Sequence, residues 1–174
     1  DHIYYRSTIE LARKMELEGW EQYSQNIELA IKEWIPALLD ADKSNLNSQR
    51  PLHLTYLGYK APHKAFLPLL RKVAEDPEER KFPRIKAMKS ISAIPHDEMI
   101  EYLTGLLDDK VLAPHVWDRL REITRIPFEQ LSNPKDVAGE GGVGLNYNAV
   151  KKIFVKWWQT NKKDFMYIRS RALG

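Results

Sequence analysis

Six residues in the last third of the chain have the types and spacing of a phosphate cradle. Gly139-Glu140-Gly141-Gly142-Val143-Gly144 satisfies G-x-G-x-x-G and runs toward a helix beginning near Asn146 or Asn148. Such a loop grips a pyrophosphate when a strand feeds it, a helix N-terminus meets the phosphate, and an acidic residue about 20 positions on takes the ribose. Here Ser132-Asn133-Pro134-Lys135-Asp136 precedes it, which is turn chemistry, and no Gly-Lys-Ser/Thr follows. The favoured reading is a flexible Gly-rich loop over 132–146. The alternative kept open is an anion resting on the final helix's N-terminus beside Lys151 or Lys152.

The other chemistry-bearing residues are scattered. His2, His53, His63, His96 and His115 show no metal-ligand spacing and no His-Glu-x-x-His helix. There is no cysteine, which excludes a disulfide framework, a thiolate metal site and a cysteine nucleophile together. No Gly-x-Ser-x-Gly elbow occurs. The clusters Glu75-Asp76-Pro77-Glu78-Glu79 and Asp108-Asp109 fall in turns between predicted helices, where capping and solvation are their expected roles. The sequence therefore implies no catalytic residue, no cofactor and no metal site.

Two further features invite a binding role. Residues 151–174 carry seven basic residues against Asp164 alone, a net +6, whereas the remainder holds 20 basic and 23 acidic residues, a net −3. A basic tail suits nucleic acid, a membrane surface or an acidic partner, but these lysines alternate with core residues as on a solvated helix end. Trp157-Trp158 resembles a stacking platform by type. By spacing it is core, since Val150, Ile153, Phe154, Trp157 and Trp158 form an i, i+3, i+4, i+7, i+8 stripe. Trp20, Trp34 and Trp117 are read the same way.

Helices must position all of this, because helical periodicity dominates and no segment alternates as a strand does. A modest stripe over 7–17 precedes Gly19. A stronger one follows through Trp20, Tyr23, Ile27, Ala30, Ile31, Trp34 and Leu38, with Pro36 expected to kink it. Polar residues 40–50 read as a loop, and 52–59 as a helix. Clear helices follow at 63–75, 82–94, 97–107 and 111–124, with Asp97 suited to an N-cap. At 174 residues the chain suits one domain with a real core. No apolar run is long enough to span a bilayer, and the opening residues do not read as a signal peptide. The compartment stays open, cytoplasmic or exported.

These helices repeat. Pro68 in Phe66-Leu67-Pro68-Leu69-Leu70 follows Pro36 in Trp34-Ile35-Pro36-Ala37-Leu38-Leu39 by 32 residues. Ala87, Met88, Ile91 and Ile94 align with Val116, Trp117, Leu120 and Ile123 at an offset of 29. With Leu106-Leu107-Asp108-Asp109 closing a first helix, Leu120-Arg121-Glu122-Ile123-Thr124 closing a second, and Trp157-Trp158-Gln159-Thr160-Asn161-Lys162-Lys163-Asp164-Phe165 ending the array, the chain resembles HEAT-like repeats. The likeness is clearest over 60–165. It departs from the family at Pro83 and Pro114, and at Met88 and Trp117 where small alanines are usual, which implies looser packing of the second helices.

The resemblance implies an all-α superhelix over 1–174: about three HEAT-like pairs, an N-terminal helix and a closing helix at about 147–165. In such arrays the second helices line the binding face. Lys86, Lys89 and Ser90 in one repeat and His115, Asp118 and Arg119 in the next are thus the expected partner contacts. The expected function is a non-enzymatic module, part of a longer polypeptide, that binds or scaffolds another protein or peptide. A nucleic-acid binder using Lys86, Lys89 and the basic tail is the first alternative. A HEAT-like lyase or other enzyme is the second.

Overall fold

The computed structural model describes residues 24–40, 49–94 and 96–172, the last eight for their helical backbone. The predicted helix at 7–17, Gly19, Trp20, Tyr23 and most of the predicted loop at 40–50 lie outside the described residues. All of the described elements are helical, joined by turns and one isolated antiparallel bridge. They fall into two compact units, one reaching Met99 and the other beginning at Ile100.

In the first unit, α1 (Ser24–Leu29) runs through a π-helical turn (Ala30–Trp34) into α2 (Ile35–Asp40). Pro36 has no N–H for the carbonyl of Lys32, and the turn ahead of it widens so that Ile35 N–H donates to Ala30 O, five residues back. The extra residue shifts the helix phase. Ile27, Ala30, Trp34 and Leu38 are buried as their spacing predicts, and Ile35 joins them while Ile31 is half-exposed. Trp34 packs at 5.1 Å on Tyr56 of α3 (Arg50–Tyr59), which has Pro51 in its first turn.

Helix α3 begins at Arg50, a residue read from the sequence as loop. Arg50 is buried for a specific reason. Its Nε donates to Glu79 Oε2 at 2.8 Å, a second guanidinium nitrogen lies 2.7 Å from the same oxygen, and Nη1 donates to the Leu38 carbonyl. Glu79 Oε1 accepts from Arg80 N–H at 3.1 Å. Glu79, expected to be solvated, is thus half of a buried ion pair joining three segments. Asp76 does act as a turn cap, accepting from Glu78 N–H at 2.9 Å.

A 3-10 turn (Lys64–Phe66) capped by His63 leads into α4 (Leu67–Glu75), which folds back against α5 (Lys81–Ala93). Arg84 Nε donates to Ala74 O at 2.9 Å, satisfying a carbonyl at the end of α4. Helices α3 and α5 run parallel: Arg50 and Glu79 meet at their starts, and further along Ser90 Oγ donates to Leu54 O at 2.7 Å. Their backbones approach so closely at Gly58 that a Cβ there would lie under 3.0 Å from Ser90 Cα. Helices α3 and α5 therefore pack tightly here, contrary to the looser packing expected of α5 from Met88. Gly58 and Ser90 are the small residues that allow this approach.

The second unit holds α6 (Met99–Gly105), continued by a 3-10 turn (Leu106–Asp108), then α7 (Ala113–Thr124), a short α8 (Phe128–Leu131) and the long α9 (Tyr147–Ala172). Asp109 Oδ1 accepts from Val111 and Leu112 N–H at 2.9 and 3.0 Å and so sets the turn between α6 and α7. Trp117 fills the centre, edge-on to Phe128 at 4.7 Å and to Phe154 at 6.2 Å. Val150, Phe154 and Trp158 of α9 are buried, as their spacing predicts, whereas Ile153 and Trp157 of the same expected stripe are only half-buried. Lys151 pairs with Asp108 and Lys162 with Glu101, so α9 runs antiparallel to α6.

Candidate functional site

Helix α5 is buried around most of its circumference. Arg84, Ala87, Met88 and Ile91 are all covered; after the exposed Lys81 at its start, the accessible positions are the exposed Phe82 and the half-buried Lys86, Lys89 and Ala93, spaced i, i+4, i+7 and i+11. Phe82 is 57% exposed, an unusual position for a phenyl ring, and Lys86 Nζ lies 5.0 Å from its centroid. That contact is a cation–π interaction, which holds ring and ammonium together at a modest gain. On α3 the exposed side chains are Leu52 and Tyr59, with the half-buried Thr55 between them on the same side of the helix. The two helices are parallel and meet through Leu54, Gly58 and Ser90, so helical geometry turns both lines to the same side of the pair. The result is a surface of aromatic and aliphatic groups with two lysines along one edge.

Of the residues expected to contact a partner, Lys86 and Lys89 lie on this surface. Ser90 does not. It is fully buried and holds Leu54 O, because the position next to a lysine on a helix faces about 100° away. Sequence reasoning missed Leu52, Tyr59 and Phe82. The signal was available in their spacing: Leu52 and Tyr59 are seven apart and off the Leu54–Leu57 stripe, and Phe82 precedes Lys86 by one turn.

In the second unit, His115, Asp118 and Arg119 share a face of α7. His115 and Arg119 are half-buried, and Arg119 is paired with Glu122. Asp118 is exposed and, with Arg121, Glu122, Arg125 and Ile126, lines an open depression. Arg121 also pairs with Glu129 at 2.6 Å. Burial, then the negative charge of Asp118, raises the Tyr147 hydroxyl above its ordinary value. Charges of both signs alternate here and largely satisfy each other.

The Gly-rich segment closes on itself. Gly139 N–H donates to Gly144 O at 3.1 Å, Asn146 N–H donates to Val137 O at 2.9 Å, and Ala138 bridges Leu145. Gly141, Gly142 and Gly144 take positive φ, which glycine adopts without steric cost. Asn146 Oδ1 caps α9 by accepting from Ala149 N–H at 3.2 Å. The Gly139, Gly142 and Val143 amides thus donate within the loop, and a strand does not feed it.

Comparisons with protein-family models, curated proteins and solved structures found no match. The remaining perturbed groups are dispersed. Burial lowers His53, and burial followed by the Lys64 charge lowers His63. Glu101 is held low: burial works to raise it, but hydrogen bonds from Lys162, the backbone and Trp158 outweigh that. Among the described residues, no three His, Asp or Glu side chains converge to hold a metal ion.

Proposed function

We propose that this chain is a HEAT-like helical-repeat module that binds an acidic, partly apolar segment of another protein along the exposed side of α3 and α5. The parallel α3 and α5 are read as second members of consecutive pairs, α2 with α3 and α4 with α5. Helices α6 and α7 make a third pair, with α9 as the closing helix. In that arrangement the exposed lines on α3 and α5 belong to the binding face. The observation that carries the reading is the Phe82–Lys86–Lys89 line beside Tyr59. Exposed aromatic rings serve as anchors, and lysines at their edge favour carboxylates.

What this surface offers, anchoring area and fixed positive charge, supports a binding role. Selection of displayed random 16-residue peptides on the intact chain tests it. Selected peptides should combine Asp or Glu with Leu, Phe or Trp, and Phe82→Ala and the Lys86→Glu, Lys89→Glu double variant should each weaken them at least ten-fold. Peptides that bind these variants as well as the parent, or that lack acidic residues, would sink the proposal.

A further inference from the structure

Five lysines lie on α9 between Tyr147 and Lys163, a stretch with no acidic residue. Two are committed within the unit, Lys151 to Asp108 and Lys162 to Glu101. Lys152, Lys156 and Lys163 are exposed and face the other way. At about 100° per residue, Asn148, Lys152, Lys156, Gln159 and Lys163 fall within about 40° of a single line, opposite the buried Val150, Phe154 and Trp158. At 1.5 Å rise per residue the line runs about 22 Å.

We infer that this line is a phosphate-tracking surface that binds double-stranded nucleic acid without reading its sequence. Its composition selects among polyanions. A membrane-surface helix needs an apolar face to insert, and here that face is turned inward, with Phe154 packed on Trp117 inside the unit and Val150 and Trp158 buried. A protein interface centres on buried aromatic or arginine anchors and is depleted in lysine, whereas every exposed position on this line is Lys, Asn or Gln. Point charges interspersed with neutral hydrogen-bonding side chains suit phosphate and sugar oxygens. With no exposed ring on the line, bases have nothing to stack on, and duplex is favoured over single strands.

Fluorescence anisotropy of the intact chain with a labelled 20-base-pair DNA of arbitrary sequence, from about 20 to 200 mM salt, tests this. Three phosphate contacts predict a slope of log K against log salt of about −2.7. The triple variant Lys152→Gln, Lys156→Gln, Lys163→Gln should lose at least ten-fold at 50 mM salt while keeping the parent's melting temperature. The triple Lys→Arg variant should keep the affinity, which separates lost charge from lost folding. Lys151→Gln with Lys162→Gln should leave the slope unchanged. Absence of binding at 20 mM salt, equal binding by the triple Gln variant, or tighter binding of poly-glutamate or phosphatidylserine vesicles than of duplex would each overturn the inference. Because α9 and the α3–α5 surface lie in different units, neither test decides the other.

Discussion

Gly58 and Ser90 meet with no space for a side chain between them: a Cβ on Gly58 would fall under 3.0 Å from the Cα, Cβ and Oγ of Ser90. In an isolated helix, Gly→Ala gains about 1 kcal/mol. Here the added methyl must displace backbone, and overpacking costs about 1–3 kcal/mol. Gly58→Ala is therefore expected to lower the urea midpoint, and Ser90→Gly in the same chain to recover part of the loss. A Gly58→Ala variant more stable than the parent would show that α3 and α5 do not approach in this way.

The Arg50–Glu79 pair has almost no access to water, with side chains 7% and 0% exposed. Removing one member leaves a buried charge without its counterion, at a cost of about 3–5 kcal/mol. Glu79→Gln and Arg50→Met should each destabilise by that order. The Arg50→Met, Glu79→Leu double variant should be substantially more stable than either, since two buried charges leave together. Equal losses in all three, measured by denaturant unfolding, would mean that the pair is not a buried unit.

Residues whose neighbours are local were legible in the sequence, and residues whose neighbours are distant in sequence were not. Burial of Val150, Phe154 and Trp158 followed from 3.6-residue spacing, whereas Ile153 and Trp157 of the same stripe are only half-buried, as are Lys86 and Lys89 on α5. Arg50 looked like loop because its reason for being buried, Glu79, is 29 residues away. Ser90 looked like surface because it is polar, yet the Leu54 carbonyl satisfies it. The glycine motif matched a cradle by letters alone. Its φ angles and the Gly139–Gly144 bond make it a self-closing turn, a property of backbone geometry that a spacing rule does not encode.

His63 links stability to pH. Its Nδ1 accepts from Ala65 N–H at 3.2 Å, a role that requires that nitrogen unprotonated, and burial lowers its pKa below the ordinary 6.5. The unfolded chain therefore takes up the proton first as pH falls. The contribution is fully present above about 6.5 and is lost as pH drops from there toward the folded value. His53, lowered by burial, acts in the same direction. Urea midpoints should decline from pH 7 to 5, and His63→Asn, which keeps a cap but cannot titrate, should decline less. An identical decline in the variant would remove His63 from the account.

Arg125 ends α7 in the left-handed region, with φ 55° and ψ 30°, its N–H donating to Arg121 O at 2.9 Å. This is the position that glycine occupies at helix C-termini, because an L side chain there crowds its own backbone by about 1 kcal/mol. Arg125→Gly should therefore stabilise the chain by about 1 kcal/mol and raise the melting temperature by a few degrees. Arg125→Ala, which retains the Cβ and thus the crowding, should give no such gain. The guanidinium borders the open depression with Asp118 and Glu122, where exposed charge pairs contribute little, so its loss does not reverse the sign. Should Arg125→Gly destabilise instead, the side chain must be held there by contacts stronger than the strain it carries.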